Sequence, residues 1–125
     1  MALYSDAVLE HYRNPRNAGQ LEDADAVGVA ENAACGDVMH LYVKVEEGRI
    51  RQAAFKAFGC AVAIAAGSRL TEMVQGSTLE EMGRIRQEDV AQSLGGLPPM
   101  KQHAAALAAD AIRAVLEDYR HRQEQ

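Results

Sequence analysis

Two apolar runs with only four residues between them constrain this chain more than any other feature. Val38-Met39-His40-Leu41-Tyr42-Val43-Lys44-Val45 sets Leu41, Val43 and Val45 on one side of an extended chain, the period-2 pattern of a strand. Residues 50–58 read as a second strand, with Glu46-Glu47-Gly48 as the turn between them. So short a connection joins antiparallel neighbours, because a parallel pair needs a crossover of about a dozen residues. Beyond the second strand the pattern turns helical. Residues 61–75 are Ala-rich and apolar on most sides, which predicts a buried helix closed by Gly76. Ser77 is placed to cap a short helix ending near Met82, and residues 88–94 read as another. Gly95-Gly96-Leu97-Pro98-Pro99 breaks the pattern, and residues 100–122 then carry the clearest helical periodicity in the chain. Upstream, Ser5 caps a first helix with Asp6 in its first turn and Ala7, Val8 and Tyr12 as a partial apolar stripe. Asn14-Pro15 ends that helix, since proline disfavours helical backbone at the residue before it. A polar loop and a short strand over residues 27–30 follow. Strands first and helices after predict an α+β fold.

A chain of 125 residues is expected to form a single domain, residues 1–125. It has no Trp and 5% aromatic residues, so its core must come from Ala, Val, Leu, Ile and Met. The net charge of −5 repels phosphate backbones, which argues against nucleic acid as a partner. Arg84 and Arg86, and the run Arg120-His121-Arg122, read as solvated helix faces. The opening residues carry no basic segment followed by an apolar one, and no stretch is long and apolar enough to span a membrane. Two cysteines in a chain of this length do not suggest a disulfide framework, so a reducing cytoplasmic setting is expected.

Three places could carry chemistry: Cys35-Gly36-Asp37, Gly59-Cys60 and Lys101-Gln102-His103. Each falls at a junction between expected elements. A thiol at a helix N-terminus has its thiolate stabilised by unpaired N–H groups and the helix dipole. Gly36 and Gly59 would leave room beside the thiols for a bulky cofactor. Cys35, Asp37, Cys60 and His103 together make a complete tetrahedral donor set for zinc. The usual paired-cysteine zinc spacings are absent, and two buried core cysteines are the plain alternative. A thiol hydrolase with Cys35 as nucleophile, His103 as base and Asp37 as orienting group is a further reading.

At these residues the sequence resembles the IscU family, equivalent to the N-terminal domain of NifU. Tyr4-Ser5 through His11-Tyr12-Arg13-Asn14-Pro15-Arg16-Asn17 resembles the family's opening. Cys35-Gly36-Asp37, then Phe55-Lys56-Ala57-Phe58-Gly59-Cys60 with Ala63-Ile64-Ala65, resemble its first two ligand loops. Leu97-Pro98-Pro99-Met100-Lys101-Gln102-His103, continued by Asp110-Ala111-Ile112, resembles its third. The resemblance implies a three-stranded antiparallel sheet packed with helices, and a scaffold rather than an enzyme. It implies transient assembly of a [2Fe–2S] cluster with sulfur from a cysteine desulfurase, for delivery to recipient apo iron–sulfur proteins. Cys35, Cys60 and His103 would be ligands and Asp37 a labile one, with Lys101 pairing with Asp37 when no metal is bound. Leu97, Pro98, Pro99, Met100 and Lys101 would form an exposed, extended segment read by an Hsp70-type chaperone with its co-chaperone. Pro98 and Pro99 also suit the start of a helix. The chain departs from the family at Ala104, where a third cysteine is usual. It departs also at Ala34, where proline is usual, and at Ala66 and Gly67, where serines are usual. The missing thiol leaves two further readings open: a zinc-holding interaction protein that builds no cluster, and a sulfur-accepting thiol protein.

Overall fold

The fold is seen in a computed structural model that describes residues 4–34 and 36–124. Its elements run α1 (Asp6–Arg13), β1 (Ala26–Asn32), β2 (Asp37–Glu46), β3 (Arg49–Phe58), α2 (Ala61–Val74), α3 (Leu79–Gly83), α4 (Gln87–Ser93), a 3-10 turn (Pro99–Lys101) and α5 (Gln102–Gln123). The strands form one antiparallel sheet in the order β1-β2-β3. Glu46 pairs with Arg49, so the hairpin turns on Glu47 and Gly48 alone. Their φ angles of 52° and 76° give the doubly left-handed turn that matches the twist of the flanking strands. The architecture is the expected α+β fold with a three-stranded sheet and a long C-terminal helix.

One sheet face is fully covered by helices. Ala26, Gly28 and Ala30 of β1, Met39, Leu41 and Val43 of β2, and Ala53 and Phe55 of β3 share that face. Small residues let the helices come close. A side chain on Gly28 would lie 2.5 Å from the backbone nitrogen of Val115 and 2.7 Å from the carbonyl oxygen of Ala111, so α5 rests directly on β1. A side chain on Gly67 would lie 2.4 Å from the ring of Phe55, so α2 rests on β3 in the same manner. The alanines of α2 and α5 fill the space between, as the low aromatic content requires.

Several local expectations shift. The cap of α3 is Thr78, not Ser77. Thr78 accepts the Glu81 N–H at 3.0 Å and Glu81 accepts the Thr78 N–H at 2.9 Å, a reciprocal pair that Ser77 cannot make with this register. Ser77 donates back to the Val74 carbonyl instead. On α1, Tyr12 is exposed and His11 is buried, because His11 finds a buried partner in Ser68 at 2.7 Å and meets the exposed Glu72 at 3.3 Å. The last helix starts at Gln102, behind the 3-10 turn, rather than at Met100. No described helix is long and apolar enough to cross a membrane.

Candidate metal centre

The site lies where three elements end. Asp37 opens β2 and pairs with Asn32 of β1. Val38 pairs with Phe58, which carries the end of β3, and with it Gly59-Cys60, to the side of Asp37. Cys60 is the residue that caps α2, and His103 is the second residue of α5. Among the described residues, Asp37, Cys60 and His103 form the one group of three metal-ligand side chains, each offering an atom within 4.8 Å of the others. Asp37 Oδ2 stands 3.2 Å from His103 Nε2 and 3.5 Å from Cys60 Sγ, so a single oxygen meets both the imidazole and the thiol.

The donor set suits a borderline or soft metal. Zinc–ligand bonds of about 2.0–2.3 Å put neighbouring donors of a tetrahedron roughly 3.3–3.8 Å apart. The 3.2 and 3.5 Å separations are close to two edges of such a tetrahedron. Two helix N-termini, those of α2 and α5, converge on the group. The Asp37 side chain is 4% exposed and that of His103 25%, so the site is closed behind and open in front.

Gly59 behaves differently from its sequence reading. The space beside it is filled by the Asp37 carboxylate rather than left for a cofactor. Gly36, by contrast, has nothing within 4 Å of where a side chain would start. Cys35 lies outside the described residues. Lys101 forms no ion pair among the described residues, and the partner of Asp37 is His103. The segment read as exposed and extended is neither throughout. Leu97 is buried, Pro98 is extended, and Pro99, Met100 and Lys101 already turn as 3-10 helix, with Met100 79% exposed. Ala104 is wholly buried in the core. The polar cluster of His11, Ser68 and Glu72 was not marked in the sequence, since its members lie 57 and 61 residues apart; burial holds the His11 pKa below its ordinary value, with Glu72 opposing.

Comparison with known proteins identifies the family. The chain is 51% identical over 117 residues to iron-sulfur cluster assembly scaffold protein IscU 1 of Archaeoglobus fulgidus, covering 94% of this chain and 76% of that protein. It is 48% identical over 123 residues to the scaffold protein IscU of Azotobacter vinelandii, covering 95% of each. The crystal structure of a nitrogen-fixing NifU-like protein (N-terminal) from Brucella abortus shares the fold, with a TM-score of 0.68 at 23% identity over 98% of this chain and 96% of that one. The family described as the NifU-like N terminal domain matches residues 3–125, so the chain belongs to that family.

Proposed function

We propose that the protein is a scaffold, not an enzyme, on which an iron–sulfur cluster is assembled and from which it is passed on. The observation that carries this reading is the convergence of Asp37, Cys60 and His103 at the N-termini of α2 and α5. Relatives at 48–51% identity that are named iron-sulfur cluster assembly scaffolds support it. Cys35, two residues before Asp37 in the chain, completes the proposed ligand set. Thiolates hold such clusters, with imidazole a known substitute, and a [2Fe–2S] cluster is the cargo that four donors fit. Asp37 supplies a hard oxygen, a poor match for cluster iron, and so serves as the ligand that lets go. Asp37, Cys60 and His103 each sit at the end of an element, so cargo can leave without disturbing the buried face of the sheet.

The sulfur source in this reading is a cysteine desulfurase, and the recipients are apo iron–sulfur proteins in the cytoplasm. Lys101, two residues before His103, adds positive charge near the anionic cargo. Exposed Met100, with Leu97, Pro98, Pro99 and Lys101, is the segment offered to an Hsp70-type chaperone and its co-chaperone. The whole of residues 1–125 acts as one scaffold domain. A zinc-holding protein is the second reading, favoured by the tetrahedral edge lengths and by Ala104 in place of a thiol. Anaerobic reconstitution with iron, sulfide and thiol, followed by metal and acid-labile sulfide analysis, separates them. Iron and sulfide in equal amounts, lost in Cys60→Ala, is the expected result. Zinc retained to the exclusion of iron and sulfide would overturn the scaffold reading.

A further inference from the structure

We infer that Gly59 is a positioning residue: its bare α-carbon is the cradle that aims the Asp37 carboxylate at Cys60 and His103. The inference rests on the metal-site reading above. The backbone of Gly59 has φ of +144°, a conformation that side-chain-bearing residues rarely adopt. A Cβ built there would stand 2.0 Å from Asp37 Oδ1, 2.5 Å from its Cγ and 3.1 Å from its Cβ. The carboxylate therefore lies flat against the glycine. Oδ1 is turned into the cradle, and Oδ2 is left facing the thiol and the imidazole.

Asp37 has no other place to go. It is 3% exposed and fixed by its pairing to Asn32 at the start of β2. A methyl group at position 59 would force the side chain to rotate, and the rotation would carry Oδ2 off the line to Cys60 and His103. Gly36 and Gly48 also have positive φ, yet nothing lies within 4 Å of either, so there glycine serves the turn alone. Gly59 serves a contact. It offers no ligand atom of its own and acts through Asp37.

Cobalt(II) is the probe, because its d–d bands report the coordination set and its charge-transfer band reports bound thiolates, Cys60 among them. Four proteins form a cycle: wild type, Gly59→Ala, Asp37→Ala and the double variant. Any backbone strain at position 59 is present in both arms and cancels in the coupling. Gly59→Ala should weaken cobalt binding about 10- to 100-fold, as loss of a supporting contact does, and move the d–d bands as Asp37→Ala does. The thiolate band should persist. Adding Gly59→Ala to Asp37→Ala should change affinity by no more than about twofold, since sites that act as one unit do not add. An equal loss in both backgrounds, or no loss in either, would overturn the inference. Asp37→Glu, which leaves position 59 untouched, tests the cradle even where Gly59→Ala does not fold. With no room for another methylene it should lose cobalt as Asp37→Ala does, and wild-type affinity would overturn the cradle. A wild-type protein whose cobalt spectrum ignores Cys60→Ser would sink the metal-site reading itself, and the inference with it.

Discussion

Gly28→Ala should cost this protein much of its stability for the addition of a single methyl group. The new Cβ would stand 2.5 Å from the Val115 nitrogen, 2.7 Å from the Ala111 oxygen and 2.8 Å from Val115 Cγ2. Ordinary contact begins near 3.4 Å, so α5 must retreat by 0.7–0.9 Å. Two of the three obstacles are backbone atoms, and no rotamer change removes them. The retreat would loosen Leu107, Ala108, Ala111, Ile112 and Val115, all buried against the sheet. Overpacking of this kind costs about 1–3 kcal/mol, and rigid obstacles place it at the upper end. Replacing glycine restricts the unfolded chain and returns roughly 0.4–1 kcal/mol. The net loss is then about 2–3 kcal/mol, or roughly 8–12 °C in Tm for a domain of this size. Urea unfolding followed by far-UV circular dichroism reads it as a lower midpoint with an unchanged slope. Gly83→Ala is the control, because its only neighbour is the tip of Leu116 at 3.2 Å, which can move aside. A Gly28→Ala loss below about 0.5 kcal/mol, no larger than an ordinary surface substitution, would refute the close seating of α5 on β1. The same retreat would draw His103, on α5, from Asp37, on β2, so metal affinity should fall along with stability.

Gly67→Ser restores the residue usual in the resembled family, yet it should destabilise this protein by about 1–3 kcal/mol, because the new Cβ meets the buried Phe55 ring at 2.4 Å. Thermal melts should show the loss, and Phe55→Leu in the same chain should recover part of it. His11 gives the fold a pH dependence: burial lowers its folded pKa below 6.5, so the unfolded chain binds the proton more readily. Its share of stability is complete above about pH 6.5 and is lost as pH falls through the lower folded value; His11→Gln should flatten this part of a stability–pH curve, and an unchanged curve would remove His11 as the cause. Replacing Met100 and Lys101 with Ala, leaving Pro98 and Pro99, should abolish stimulation of an Hsp70-type ATPase with Tm unchanged; intact stimulation would reduce the prolines to a helix start.

The sequence was legible wherever neighbours in the chain are neighbours in space. Leu41 and Val43 alternate inward with a two-residue turn beyond them, so the β2–β3 hairpin is written in the local pattern. The periodicity of α5 belongs to the same kind. The cap of α3 was also within reach, since Thr78 stands three residues before Glu81, the spacing of a capping box. What could not be read is long-range. His11 is buried rather than Tyr12 because Ser68 and Glu72 arrive from α2 to receive it. Gly28 and Gly67 look like weak points in a strand and a helix until the partner backbone and ring are known. Gly59 has the same character: the resemblance placed it beside a ligand, but only the fold shows that a carboxylate 22 residues upstream occupies its missing side chain.

Ala104 is best understood from the direction its helix turns. Successive residues of a helix point about 100° apart. His103 reaches the site and remains partly exposed, while Ala104 is fully buried with Ala105, Leu107 and Ala108 behind it. Position 104 is buried, and alanine there permits the close packing that the rest of the helix uses. Position 104 directly follows His103, whose Nε2 stands 3.2 Å from Asp37 Oδ2, so a thiol there starts beside the group. On the scaffold reading the donor set is one thiolate poorer than in the resembled family, and imidazole and carboxylate take a larger share of the hold. Both are weaker partners for cluster iron than thiolate. The same change that costs the protein a ligand thus shortens the time a cluster stays, and for a carrier whose task is to give its cargo away, retention is the quantity that Ala104→Cys should lengthen.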